Sequence, residues 1–171
     1  MNVDNDADWL PALVELSSFN GDWESYLEAV YQYFVVDFVK SMPVFCGRRL
    51  GLKRHPVEQG KEATFWHMTS EGKTEADRTP DMRRMERICW PKPVIEKAEE
   101  KQGTTRIKLW RNQRRGNESR ILLWVQKENY LVVLADRGDY LLPWTAYLVE
   151  RAHQKAKLLK EYEKFWKNRG N

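Results

Sequence analysis

The chain has 171 residues, of which 42% are hydrophobic and 32% charged, with a net charge of +4. That length supports one domain with a real core; a mean hydropathy of −0.74, and no window near the ~20 apolar residues a span requires, argue against a membrane protein. The two cysteines (Cys46, Cys89) and three histidines (His55, His67, His153) show no CxxC or HExxH spacing, so a disulfide framework, a structural zinc site and a cofactor are not expected.

The acidic start MNVDNDADW lacks the basic–apolar–small order of a signal peptide, and a cytoplasmic protein with two buried thiols is the expectation. Residues 1–39 contain eight acidic residues and no Lys or Arg, a charge of −8 that leaves +12 for the remainder. A basic body suggests a polyanionic partner, most simply nucleic acid. An acidic segment docked on a basic domain for stability alone gives the same pattern.

The acidic segment, 1–41, reads as a helical extension preceding a basic α+β domain, 42–171. One helix is predicted over Asp8 to Leu16 and a longer one from about Asp22 to Lys40. Asp22 stands at its cap and Glu24 in its first turn. Trp23, Leu27, Val30, Tyr31, Phe34 and Phe38 recur at helical spacing and form a broad apolar stripe. Such a stripe serves a core or a docking face, and the segment is also a candidate site for a protein inhibitor or other partner.

Beyond Met42, short strands are predicted over 43–46 and 63–69. Between them lies a Gly-rich basic loop carrying Arg48, Arg49, Lys53, Arg54 and His55. Thr79-Pro80-Asp81 reads as a helix start, with Thr79 as cap and Pro80 at the first helical position. Met82, Met85, Ile88 and Cys89 form its buried side, with Arg83, Arg84 and Arg87 outside. Pro91 and Pro93 break it, and a second short helix is predicted from about Val94 to Lys101.

The stretch Thr104 to Val149 carries an antiparallel meander: the runs ILLWV, YLVVLA and YLLPW are separated by QKEN and DRGD, and a weaker alternating run, TTRIKLWR, precedes them. Four strands are predicted near 104–111, 119–126, 130–136 and 139–145. Alternation sends Ile107 and Leu109 to the core and Arg106, Lys108 and Trp110 to the other face. Lys108 and Trp110 there are candidates for nucleic-acid contact, Trp110 as a stacking platform; an ordinary solvated sheet face accounts for them equally. A terminal helix, about Leu148 to Lys167, is coated with lysines.

Among residues that could do chemistry, His67 stands out because imidazole titrates near neutrality and serves as acid or base. A His between Trp66 and Met68 is also at home as a packed, hydrogen-bonded residue. Guanidinium groups hold phosphate and stabilise charge developing on it, which makes Arg48, Arg49, Arg83, Arg87, Arg111 and Arg120 candidates. No carboxylate cluster has the spacing of a metal-dependent nuclease.

The segments TPDMRRMERICWPKPVIEKA and YLLPWTAYLVERAHQKAKLLKEYEKF flank the meander. This order of two helices, four strands and a basic helix resembles the barnase–EndoU–colicin–RelE class of metal-independent endoribonucleases, in its phage and prophage branch. The resemblance covers roughly residues 43–165 and leaves the acidic segment outside. It implies a helical segment before a four-stranded antiparallel sheet, and a site combining His, Arg or Lys with Thr or Tyr from the last strand. On that basis Thr145 and Tyr147 sit beside the phosphate and His67 is the acid–base. Arg120 or Arg111 stabilises the phosphorane. Without the resemblance, Thr145 is a strand-end hydroxyl and Tyr147 a core residue.

The expectation is therefore an α+β, toxin-like RNA endonuclease of a mobile element, forming a 2′,3′-cyclic phosphate. The alternative is a non-catalytic nucleic-acid-binding or protein-interaction adaptor on a degenerate nuclease fold.

Overall fold

A computed structural model describes residues 9–100, 106–114 and 116–170 of the chain. The fold is α+β. Among the described residues the main sheet is an antiparallel meander of four strands in the order β5-β6-β7-β8: Lys108–Gln113, Ser119–Val125, Tyr130–Asp136 and Leu141–Leu148. β6 and β7 lie within one residue of their expected positions, β5 starts four residues later than expected, and β8 starts two residues later and runs on through Thr145 to Leu148. Residues 104 and 105, where the first strand was expected to start, lie outside the described residues.

Two cores sandwich the sheet. On one face Ile121, Leu123, Val132, Leu134 and Ala146 join the main core. That core also takes in Tyr26, Leu27, Val30 and Phe34 of α1 (Trp23–Phe34), and Phe38 of the π-helical turn that continues it over Val35–Lys40. The apolar stripe of the acidic segment thus completes the domain core, where burying each large apolar side chain contributes about 1.5–3 kcal/mol. The expected helix over Asp8 to Leu16 is replaced, in its described part, by irregular chain ending in a 3₁₀ turn, Leu16–Phe19. Pro11 lies in the irregular part, and its carbonyl accepts from Trp90 Nε1 while Val14 N–H donates to the Glu86 carbonyl. Asp4, Asp6 and Asp8 lie outside the described residues.

On the second face α5 (Ala152–Lys167) packs over Trp110, Leu122, Trp124, Leu131 and Val133. This helix starts four residues later than expected because β8 runs on to Leu148. It covers the face that alternation assigned to Arg106, Lys108 and Trp110. Trp110 is fully buried, with its ring edge-on to Trp124 and Tyr162. A stacking platform for bases must be open, so Trp110 is not one. Lys108 Nζ lies 4.5 Å from the centre of the Tyr162 ring, in a cation–π contact within the fold.

Residues 43–69 depart most from expectation. Val44–Phe45 (β1) and Arg48–Arg49 (β2) form a two-residue-strand hairpin. The turn between them, Cys46-Gly47, has positive φ at both positions, the backbone of a tight hairpin turn. Arg48 and Arg49 are therefore strand residues, and Cys46 is an exposed thiol rather than a buried one. Ala63–Thr69 is not a strand but a helix, α2, buried at all seven positions. A short apolar run buried all round has no period by which to tell strand from helix. Thr69 Oγ1 donates to the Phe65 carbonyl one turn back, and Phe65 packs edge-on to Tyr31 and Phe34 of α1.

The next two helices start at different residues from those expected. Thr79–Pro80 (β4) pairs with Ser70–Glu71 (β3), and α3 (Met82–Glu86) is capped by Asp81. The Asp81 carboxylate accepts from the Arg83 and Arg84 backbone N–H groups. A carboxylate satisfies two orphan donors at once, and Pro80 keeps the residue before it extended. Pro91 starts α4 (Pro91–Glu100) rather than breaking a helix, as its missing N–H allows in a first turn. Among the described residues no helix is long and apolar enough to cross a membrane.

Candidate active site

The site forms at the β8 edge of the main sheet, because α2 and α3 both pack along it; at the start of that edge Leu141 bridges to Leu50 and accepts from the Gly51 N–H. A β-bulge sets what β8 presents. Val133 pairs with Thr145 and Leu134 with Pro143, so Trp144 is the extra residue between them. Bulges re-aim side chains and recur beside functional sites. Beyond the bulge, Thr145 and Tyr147 lie on the α5 side, opposite Val133 and Leu131, while Ala146 stays in the main core.

One pocket of about 210 Å³ is lined by His67 of α2, Ser70 and Glu71 of β3, Arg78, Arg84 of α3, and Trp144, Thr145 and Tyr147 of β8. His67, Thr145 and Tyr147, singled out from the sequence, thus meet in one place. The arginines beside them are Arg84 and Arg78, which sequence reasoning did not select.

His67 is 5% exposed. Its Nε2 lies 2.8 Å from Glu75 Oε1, and its ring is edge-on to Trp144 with centres 4.9 Å apart. Burial lowers the His67 pKa, outweighing the Glu75 bond that raises it. Glu75 falls to about 2, chiefly through the bond with His67 and then that from Lys53. The pair at neutral pH is therefore a neutral imidazole on an ionised carboxylate. A carboxylate only accepts, so Nε2 carries the proton and Nδ1 keeps its lone pair. A base oriented by a carboxylate is the arrangement that general-base catalysis uses.

Arg84 connects three elements. Its Nη1 donates to the Ser70 carbonyl (2.8 Å) and to Thr145 Oγ1 (3.1 Å), its Nε lies 3.4 Å from Asp81, and its guanidinium stacks 5.2 Å from the centre of the Tyr147 ring. Arg78 Nε lies 3.4 Å from Glu75. Burial raises the Tyr147 pKa, so the phenol stays protonated at neutral pH. Among the described residues the Ser70 hydroxyl oxygen is buried without a hydrogen-bond partner.

Other candidates lie elsewhere. Arg111 and Arg48 both bind Asp136, at 2.9 Å and 2.6 Å. Among the described residues Arg111 does not border the His67 pocket, which is where the phosphorane role expected of it would place it. Arg120 is nearer, stacked 4.7 Å from the centre of the Trp144 ring and 3.1 Å from Glu118. Arg83 pairs with Glu150, and Arg87 stacks on Trp90 near the N-terminal segment. Lys53 pairs with Glu75 and Arg54 with Glu62; Arg49 and His55 are exposed.

Glu75, Arg78 and Arg84 were missed because two of them come from the loop 72–78, whose path the sequence does not reveal. Arg84 had a signal, standing in the same Arg-rich helix as Arg83 and Arg87. Comparison of the chain with protein-family models, with curated proteins and with solved structures finds no match in any of the three.

Proposed function

We propose that this chain is a metal-independent endoribonuclease, similar in site chemistry to the barnase–EndoU–colicin–RelE class. The observation that carries this reading is one pocket bordered by both the Glu75–His67 pair and the Arg84–Thr145 contact. His67 Nδ1 takes the proton of a ribose 2′-hydroxyl. The O2′–P bond forms, and the negative charge gathering on the phosphorane is met by the Arg84 and Arg78 guanidinium groups. The P–O5′ bond then breaks, and O5′ takes a proton from the Tyr147 phenol; the proton held on His67 is then passed through water to the phenolate, which resets both groups. The products are a 2′,3′-cyclic phosphate and a 5′-hydroxyl. Thr145 gives up its bond from Arg84 to a phosphate oxygen, a neutral partner exchanged for a charged one.

A second reading, phosphate or RNA binding without turnover, draws on one observation: Arg78 and Arg84 already face carboxylates, and Glu71 lines the same pocket. Incubation with RNA in EDTA, followed by mapping of the ends, separates the two. Cyclic-phosphate ends that vanish in His67→Gln support cleavage; intact RNA that still binds, with equal affinity in that variant, supports the second reading. The same proposal extends to a toxin-like factor of a mobile element acting on cytoplasmic RNA. Its inhibitor or partner would hold the acidic N-terminal segment, where Trp23, Tyr33 and Val36 stay exposed.

A further inference from the structure

We infer that the cleft between β5–β8 and α5 is a nucleobase subsite for unpaired RNA, selecting bases that carry an exocyclic amino group. This rests on reading the His67 pocket as the cleavage site. The cleft, about 270 Å³, is bordered by Thr145 and Tyr147, which also border that pocket. A base in the cleft therefore has its ribose and phosphate on the side of Arg84 and Thr145.

Its floor is the buried apolar face of Leu122, Leu131 and Val133. An apolar floor suits the face of a base. At one end Asn112 Nδ2 donates to Glu161 Oε2 across a long 3.4 Å. Among the described residues Asn112 Oδ1 is left without a partner. Arg114, Arg120 and Lys157 stand around the same cleft. An apolar floor, a carboxylate at one end and cations around it match the parts of a nucleotide.

The carboxylate decides which base. Glu161 is acceptor-only when ionised, so it rewards an N–H₂ group and repels a carbonyl oxygen. Adenine, cytosine and guanine offer the amine; uracil offers a carbonyl in its place, and its one donor on that edge, N3–H, is flanked by two carbonyl oxygens that a carboxylate repels. A base paired in a duplex cannot leave its stack to enter the cleft without unpairing, which is why the substrate is single-stranded.

The test titrates the full chain with the four nucleoside 3′-monophosphates by calorimetry, which needs no cleavage. The adenine, cytosine and guanine nucleotides should bind roughly tenfold more tightly than the uracil one, the scale of one good base contact. Glu161→Gln, which can donate as well as accept, should cut that ratio to within about threefold. Gln154→Trp, at an exposed position bordering the cleft, should weaken all four by about tenfold, the equivalent of 1.4 kcal/mol. Equal binding of the four with no effect of Glu161→Gln overturns the subsite, as does no binding at millimolar concentration. The cleavage reading fails separately: discrimination without cyclic-phosphate ends would remove the nuclease and leave the subsite. Cleavage beside all four bases alike, unchanged in Glu161→Gln, would do the reverse.

Discussion

Two groups of arginines meet the main sheet, and their surroundings give them opposite uses. At the end of β7, Arg48 and Arg111 converge on Asp136, whose carboxylate also accepts from the Gly138 N–H. Those bonds, Arg48 first, hold the Asp136 carboxyl far below the usual carboxylate range. At the edge of β8, Arg84 spends its donors on a carbonyl and a hydroxyl and lies along a tyrosine ring. The first group is a closed clamp with its charge already shared. The second also faces a carboxylate, Asp81 at 3.4 Å from Arg84 Nε, but the neutral partners of Arg84 Nη1 are ones that an anion can displace. A count of cations along a chain says little until each is set against the acceptor it meets.

That contrast breaks most sharply at the base beside Arg84. His67→Gln keeps a donor toward Glu75 but has no base, and cleavage should fall at least 100-fold in a single-turnover RNA assay; wild-type rates would end the catalytic reading. Arg84→Ala should cost on the order of 100-fold, and Arg84→Lys should recover little of it, because a point charge cannot bond Ser70 and Thr145 together. Arg111→Ala, in contrast, should leave the rate within about twofold, since the half-exposed Arg111 lies outside the pocket. A rate loss in Arg111→Ala matching that in Arg84→Ala would erase the distinction between the two groups.

Stability should follow the opposite ranking. Asp136→Asn removes a charge shared by two partly exposed guanidiniums and should cost about 1–2 kcal/mol, read as a lower urea midpoint with cleavage retained. The pH dependence is smaller and has one sign. The folded state disfavours the His67 proton, so the unfolded chain gains protons first and stability declines as pH falls through the ordinary histidine range. Glu75 and Asp136 are also held below their unfolded values, so their contributions are present above the usual carboxylate range. They are lost as pH falls from there, for Glu75 toward about 2. Melting temperature should decrease steadily from pH 7 to pH 4, and His67→Gln should flatten the part that begins in the ordinary histidine range. A rise on acidification would contradict the assigned protonation states.

The meander was legible because alternation and turn residues are local, and β5 to β8 lie where those signals put them. The meeting of His67, Thr145 and Tyr147 was legible only through resemblance, since nothing within FWHMT or WTAY specifies that two distant segments touch. The helix α2 was not legible: Ala63–Thr69 is apolar and β-branched enough to pass for a strand, and burial on every side removes its period. Trp110 was misassigned for a different reason. Alternation correctly put it opposite Leu109 and Ile107, but it could not say that α5 would cover that face. Glu75 and Arg84 depend on a loop path and on a cap moved from Thr79 to Asp81, and both are set by tertiary pairing of β3 with β4.

The bulge at Trp144 acts as a phase shifter in β8. Before it, odd positions such as Leu141 look into the main core; after it, even positions such as Ala146 do. Deleting that one residue would close the bulge and leave the strand in plain alternation. Leu141 and Ala146, then four residues apart, would both keep their core positions, and Thr145 and Tyr147 would stay opposite Val133 and Leu131. What the deletion would remove is the ring that meets His67 and Arg120, so the bulge lets an aromatic side chain stand at the pocket without changing which residues the rest of the strand buries.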